Sequence, residues 1–131
     1  MTNYIQNFKN WTNVCFLLPL GLAVYYGLPI YGAVLFLVVF SSFVYHSTGH
    51  YIFKTLDYVS AYLLILANLY YAWKGNFDYA TVAMMLFFIA FSLYFKFKKV
   101  RNERDYIYNH GYWHIISSFI TVFVLVTFLL G

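Results

Sequence analysis

Long apolar segments separated by short polar breaks dominate this chain. Between Lys9 and Lys54 there are 44 consecutive residues without Asp, Glu, Lys or Arg. A helix needs about 20 predominantly apolar residues to cross a bilayer, so this stretch alone holds two crossings. Breaks rich in Gly, Pro or charged residues divide the rest of the chain. The pattern predicts five membrane-spanning helices, near residues 14–27, 30–48, 56–73, 79–95 and 108–131.

Composition supports this prediction. Of the 131 residues, 63% are hydrophobic and 9% are charged, whereas a soluble domain carries about 25% charged residues. The chain has no internal repeat or low-complexity tract, so we expect one all-α domain over residues 1–131, a multi-pass transmembrane bundle in the lipid bilayer. A single cysteine, Cys15, excludes an internal disulfide and a Cys-based zinc cluster.

The distribution of basic residues predicts the orientation. A net charge of +4 would also suit a nucleic-acid partner, but we expect none, because the basic residues lie in short breaks between apolar segments. Five spans place Lys74 alone on one face and the other seven basic residues on the opposite face. By the positive-inside rule that second face, with the N-terminus, is cytoplasmic, and the C-terminus is external. The seven are Lys9, Lys54, Lys96, Lys98, Lys99, Arg101 and Arg104.

Five polar residues are predicted to lie at one depth. Ser42 and His46 are four apart, so they share a face of the second helix, and His110 and His114 repeat this spacing on the fifth. Asp57 falls in about the first turn of the third helix. The second helix ends on the cytoplasmic face, whereas the third and fifth begin there. Span parity therefore places all five residues within a few turns of the same face.

The chemistry of this group suits a metal ion. Three neutral imidazoles with an open fourth position describe a catalytic zinc site, and the predicted ligands are His46, His110 and His114. Zinc acidifies the water it binds, and a neighbouring carboxylate such as Asp57 can accept the proton. The Ser42 hydroxyl can hold that water or donate to an oxyanion.

Each of these residues also has an ordinary structural explanation when taken alone. Asp57 can serve as a helix cap, Ser42 can pack helices, and His50 is interpreted as a satisfied interfacial residue. Three His and one Asp at one depth are harder to explain by packing, because polar groups are costly in a membrane. The other acidic residues are interpreted as solvated loop charges: Asp78, Glu103 and Asp105.

The order and spacing of these residues resemble a known family. The segment Ser42-Phe-Val-Tyr-His46, then Asp57, then His110-Gly-Tyr-Trp-His114 is similar to the pattern of the CREST superfamily of membrane hydrolases. That group includes alkaline ceramidases, adiponectin-type receptors, GPI-lipid-remodelling proteins and myomaker-like proteins. The step from His46 to Asp57 and the aromatic residue before His114 resemble the ceramidase and myomaker-like branches.

The resemblance implies zinc bound by His46, His110 and His114. It also implies Asp57 on the zinc-bound water, Ser42 near the reacting carbonyl, and hydrolysis of a membrane lipid at an amide or ester bond. The family usually has seven spans, whereas five are predicted here. Loss of two spans before the last helix preserves that helix's direction, but fewer helices remain to enclose a lipid.

Three functions are compatible with the sequence. The first is a zinc-dependent lipid hydrolase of the ceramidase type. The second is a non-enzymatic membrane protein whose metal site is structural or supports lipid sensing. The third is a haem protein, which the spacing disfavours because an i, i+4 pair on one helix cannot reach opposite faces of one haem.

Overall fold

In a computed structural model the chain is a bundle of α-helices. The structure describes residues 2–76 and 79–131, with only the backbone for residues 2–6 and for Lys9, and the predicted loop charge Asp78 lies outside it. No strand occurs in the described ranges, which confirms the all-α class. The helices are α1 (Thr2–Asn13), α2 (Leu17–Tyr25), α3 (Pro29–Thr48), α4 (Tyr51–Lys74), α5 (Tyr79–Phe97) and α6 (Glu103–Leu130).

Four of these helices, α3 to α6, are long and apolar enough to cross a membrane. They match the second to fifth predicted spans. The first predicted span falls on a 3₁₀ turn, Val14–Phe16, and on α2. With nine residues, α2 is about 14 Å long, less than half of the roughly 30 Å hydrocarbon layer. A crossing by this segment therefore stays a prediction.

Helices α1 and α2 nevertheless follow each other with little interruption. Asn13 and Leu17, which flank the 3₁₀ turn, both have helical backbone angles. Pro19 has no N–H, so the carbonyl of Cys15 four residues earlier loses its helical partner. The Ser118 hydroxyl of α6 donates to that carbonyl at 2.8 Å. This bond satisfies the backbone oxygen that Pro19 leaves without a helical partner, and it fixes the 3₁₀ turn against α6.

The boundary between α3 and α4 is sharper than expected. Helix α3 ends at Thr48 and is capped by Gly49, whose φ of 68° suits a residue without a Cβ. Helix α4 begins at Tyr51 rather than near residue 56, because His50 acts as its cap: Nδ1 accepts the Ile52 N–H at 3.3 Å. Asp57 therefore lies in the second turn, and the cap role considered for it is wrong.

The loop before α6 is also shorter than the predicted charged segment. Helix α6 begins at Glu103, and its cap is Asn102, whose side-chain oxygen accepts the Asp105 N–H at 2.8 Å. Glu103 and Asp105 therefore lie in the first turn of a helix, not in a loop. Negative charge there stabilises the positive end of the helix dipole.

Helix α6 is central to the bundle, since it contacts α1, α2, α4 and α5. Buried polar side chains join α6 to α3 and α4. The Tyr31 hydroxyl of α3 donates to Asn68 of α4, and Asn68 donates to Thr121 of α6 at 3.2 Å. Nearer the other end, Ser41 and Ser60 join α3 and α4 at 2.9 Å. The first set joins the start of α3 to the second half of α6 through α4, and the serine pair fixes α3 to α4 nearer the end where α3 stops.

Candidate metal centre

Three histidines from two helices meet at one end of the bundle. His46 lies in the last turns of α3, and His110 and His114 lie on successive turns of α6. Their possible ligand nitrogens all lie within 4.8 Å of one another. The Nε2 atoms of His46 and His110 are 3.0 Å apart. The structure thus brings together the three histidines that the sequence singled out.

The cluster fits a metal ion held by imidazole. Nitrogens bonded to one tetrahedral zinc at about 2.0–2.1 Å lie roughly 3.3 Å apart. The His46–His110 separation of 3.0 Å is close to this value, and no pair of ligand nitrogens in the cluster is more than 4.8 Å apart. His114 is buried, and the other two are partly buried. Three neutral nitrogen donors in a partly dry site suit zinc and other divalent transition metals.

Thr12 of α1 orients the most buried of the three rings. Its Oγ1 lies 3.4 Å from Nδ1 of His114. When Nε2 of His114 serves as a ligand, Nδ1 carries the proton and donates to this oxygen, which fixes the tautomer and the ring plane. Thr12 was not predicted as a site residue, because it lies 102 residues from His114 in the chain.

The close approach of α1 to α6 depends on Gly111. A Cβ at this position would lie 2.3 Å from the Phe8 ring and 3.2 Å from Cγ2 of Thr12. Only a glycine lets α1 approach without displacing these side chains. Gly111 stands between the two histidines of α6, so it is part of how the site is built.

Aromatic rings surround the cluster. Tyr106 stacks on His110 with ring centroids 5.5 Å apart, and Phe16 meets His114 edge-on at 6.2 Å. Tyr106 lies one helical turn before His110, whereas Phe16 is far from every predicted site residue in the chain, and nothing in their type distinguished either ring from the other aromatic residues. They limit solvent access and hold the imidazoles in place.

Ser42 and Asp57 lie beside the cluster. Ser42 is buried one turn before His46, and the Asp57 carboxyl lies within interaction range of its hydroxyl. The Ser42 oxygen nevertheless makes no hydrogen bond of standard geometry among the described residues. Asp57 also lies close enough to Tyr106 to affect it electrostatically.

We expect Thr12→Val to weaken the binding of a divalent metal ion at the cluster by about 10- to 100-fold, because it removes the oxygen that orients His114 while nearly preserving shape. Competition with a chelator of known affinity measures the change. Thr12→Ser should bind like the wild type. Thr127→Val is the matched control, since Thr127 bonds only locally to the Phe123 carbonyl on α6. Equal affinity in Thr12→Val and the wild type would exclude the orienting role.

No family model, curated protein or solved structure matches the chain. The likeness to membrane hydrolases therefore stays a prediction from the spacing of the motif, and the geometry of the histidines is the evidence for the site.

Proposed function

We propose that this protein is a zinc-dependent intramembrane hydrolase that cleaves an amide or ester bond of a lipid. The observation that carries the proposal is the convergence of His46, His110 and His114 within 4.8 Å on helices that can cross a membrane. Polar side chains are costly at such positions, so a cluster of three is best explained by a function.

The residues around the cluster have separate roles in this proposal. Zinc held by the three imidazoles would supply a Lewis acid that polarises a carbonyl and acidifies water. Asp57 accepts a proton from water as the general base and returns it to the leaving group. The Ser42 hydroxyl, which has no hydrogen bond of standard geometry among the described residues, donates to the carbonyl oxygen as negative charge develops there.

The position of the site favours a lipid as substrate. His46 lies two residues before the end of α3, and His110 and His114 lie about two and three turns into α6. A bond near a lipid headgroup lies at that depth, whereas a soluble substrate would have to leave water to reach it. Both amides and esters present the carbonyl that this chemistry requires.

The alternative is a membrane protein in which the metal is structural or senses lipid. The specific observation in its favour is that the three ligands join α3 to α6, so a bound metal would stabilise the bundle whether or not it reacts. The haem hypothesis is disfavoured by geometry. His46 and His110 meet at 3.0 Å between their Nε2 atoms, which leaves no space for a porphyrin between them.

Elemental analysis and a visible spectrum of the purified protein test the metal first. The proposal predicts about one zinc per chain, as a three-histidine site requires, and no strong visible absorption, whereas a haem protein absorbs strongly. Lipid products are then compared by mass spectrometry between the wild type and His114→Ala. Product that forms equally in both would contradict the proposal.

We further propose that the metal centre faces the cytoplasm. The start of α4, with Lys54, and the loop between α5 and α6 lie at the histidine end of the bundle, whereas Lys74 ends α4 at the other. The excess of Lys and Arg residues therefore predicts that the histidine end is cytoplasmic, even if only α3 to α6 cross the membrane. A C-terminal reporter should be active outside the cytoplasm. A C-terminal reporter active only in the cytoplasm would reverse this orientation.

A further inference from the structure

A second site lies on another side of α6, where α5 ends. A cavity of about 530 Å³ opens between the end of α5, the following loop and the first turns of α6. Its apolar wall includes Phe95, and its α6 wall includes Asp105, Asn109 and Tyr112. Tyr108 and three basic residues complete the lining, and the basic residues are Lys98, Lys99 and Arg101.

The cavity is distinct from the metal centre. Residues 105, 108, 109 and 112 of α6 line it, and their spacing of three and four places them on one helical face. His110 and His114 are two residues away from Tyr108 and Tyr112, about 200° around the helix, so they project from a different face. A ligand in the cavity therefore does not compete for the histidines.

The charge in the cavity is positive. Three cationic side chains line it against one carboxylate, Asp105. Asp105 accepts the backbone N–H of Arg101 at 3.3 Å, which holds the loop against α6. The Lys98 ammonium lies 5.7 Å from the centre of the Tyr94 ring, at the edge of the apolar wall. An anion is the ligand that this charge favours.

A buried donor in the same wall points independently to a ligand. Asn109 is only 8% exposed, and its Nδ2 has no hydrogen-bond partner among the described residues. Leaving a buried amide N–H unpaired is costly, so such groups are rare unless a bound molecule satisfies them. Nδ2 has almost no accessible surface of its own, so a small rotation of the Asn109 side chain is needed to bring it to an acceptor oxygen in the cavity.

We propose that this cavity binds an anionic phosphate group, either in a lipid headgroup or free in solution. Phosphate oxygens accept hydrogen bonds from ammonium, guanidinium and amide N–H groups, and Lys98, Arg101 and Asn109 supply one of each. The cavity lies where two apolar helices meet a basic loop, which is the depth of headgroups in the cytoplasmic leaflet. Acyl chains of a bound lipid would lie along Phe95 and Tyr112.

Native mass spectrometry of the full chain in detergent tests the proposal. Phosphatidic acid should bind more strongly than diacylglycerol, which lacks the phosphate. Lys98→Gln/Arg101→Gln should weaken binding of phosphatidic acid by about tenfold or more, since hydrogen bonds to charged groups are lost. Asn109→Leu, which changes no charge, should weaken it by about fivefold. Glycerol 3-phosphate that displaces the lipid identifies the phosphate alone as the ligand, and failure to displace identifies the intact lipid.

The matched control separates a site from general attraction to basic residues. Lys54→Gln/Lys96→Gln removes the same charge at the same end of the bundle but changes no residue of the cavity, and Lys96 lies over the Trp113 ring. This variant should retain binding. Equal loss in both double variants, or full binding in folded Asn109→Leu, would overturn the proposal. If Asn109→Leu does not fold, the comparison of phosphatidic acid binding between the two double variants tests the proposal. Both double variants change only exposed residues.

Discussion

Replacement of any one of His46, His110 and His114 by Ala is expected to abolish stoichiometric zinc binding. Three ligands leave no redundancy. Loss of a residue that only orients a ligand already costs about 10- to 100-fold in affinity, so loss of a ligand should cost more than about 100-fold. The measurement is zinc per chain by elemental analysis after exchange into metal-free detergent buffer.

His50→Ala is the matched control for these variants. His50 lies only four residues from His46, but it caps α4 and is exposed. Its loss should cost about 1 kcal/mol of helix stability and leave zinc content unchanged. Far-UV circular dichroism shows that each variant is folded. Full zinc in folded His114→Ala would remove this residue from the ligand set.

Asp57→Asn is expected to keep its zinc and lose most of the hydrolysis. The substitution nearly preserves shape but removes the base, and a positioned general base contributes about 10²- to 10⁴-fold in rate. Ser42→Ala should also keep zinc and lose activity less severely, since one donor to an oxyanion contributes about 10²- to 10³-fold. Lipid turnover by mass spectrometry is measured beside zinc content in the same preparations.

Glu103→Gln provides the corresponding control, because it makes the same carboxylate-to-amide change at an exposed position in the first turn of α6. It should turn over lipid like the wild type. If zinc-loaded Asp57→Asn keeps full activity, Asp57 has no part in the mechanism. If the metal is only structural, Asp57→Asn changes stability at most and the wild type shows no turnover.

The apolar pattern of the sequence was sufficient to predict most of the helices. Helix α3 spans Pro29–Thr48, within one residue of the prediction, because a proline begins it and a glycine ends it. Helix α1 was not predicted, since its polar residues resemble a tail when the chain is considered alone. The early start of α4 was missed because a histidine cap is uncommon.

The candidate site was predictable only in part. The i, i+4 spacing on α6 and the parity of the spans place all three histidines at one end, and the structure brings them together. Thr12, Gly111 and Tyr106 could not be found in this way, because their importance depends on how α1 packs against α6 and on which aromatic ring covers His110. Those contacts are tertiary, and no local pattern specifies them.

Reconstitution of lipid turnover with zinc tests the central claim most directly. Purified wild type is stripped of metal with a chelator and assayed by mass spectrometry on ceramides, phospholipids and their lyso forms, before and after about one equivalent of zinc is restored. We predict no turnover in the stripped protein and recovery on at least one of these lipids with zinc, but no recovery in His114→Ala. Turnover that is unaffected by stripping, or no turnover of any of these lipids by the zinc-loaded wild type, would contradict the account.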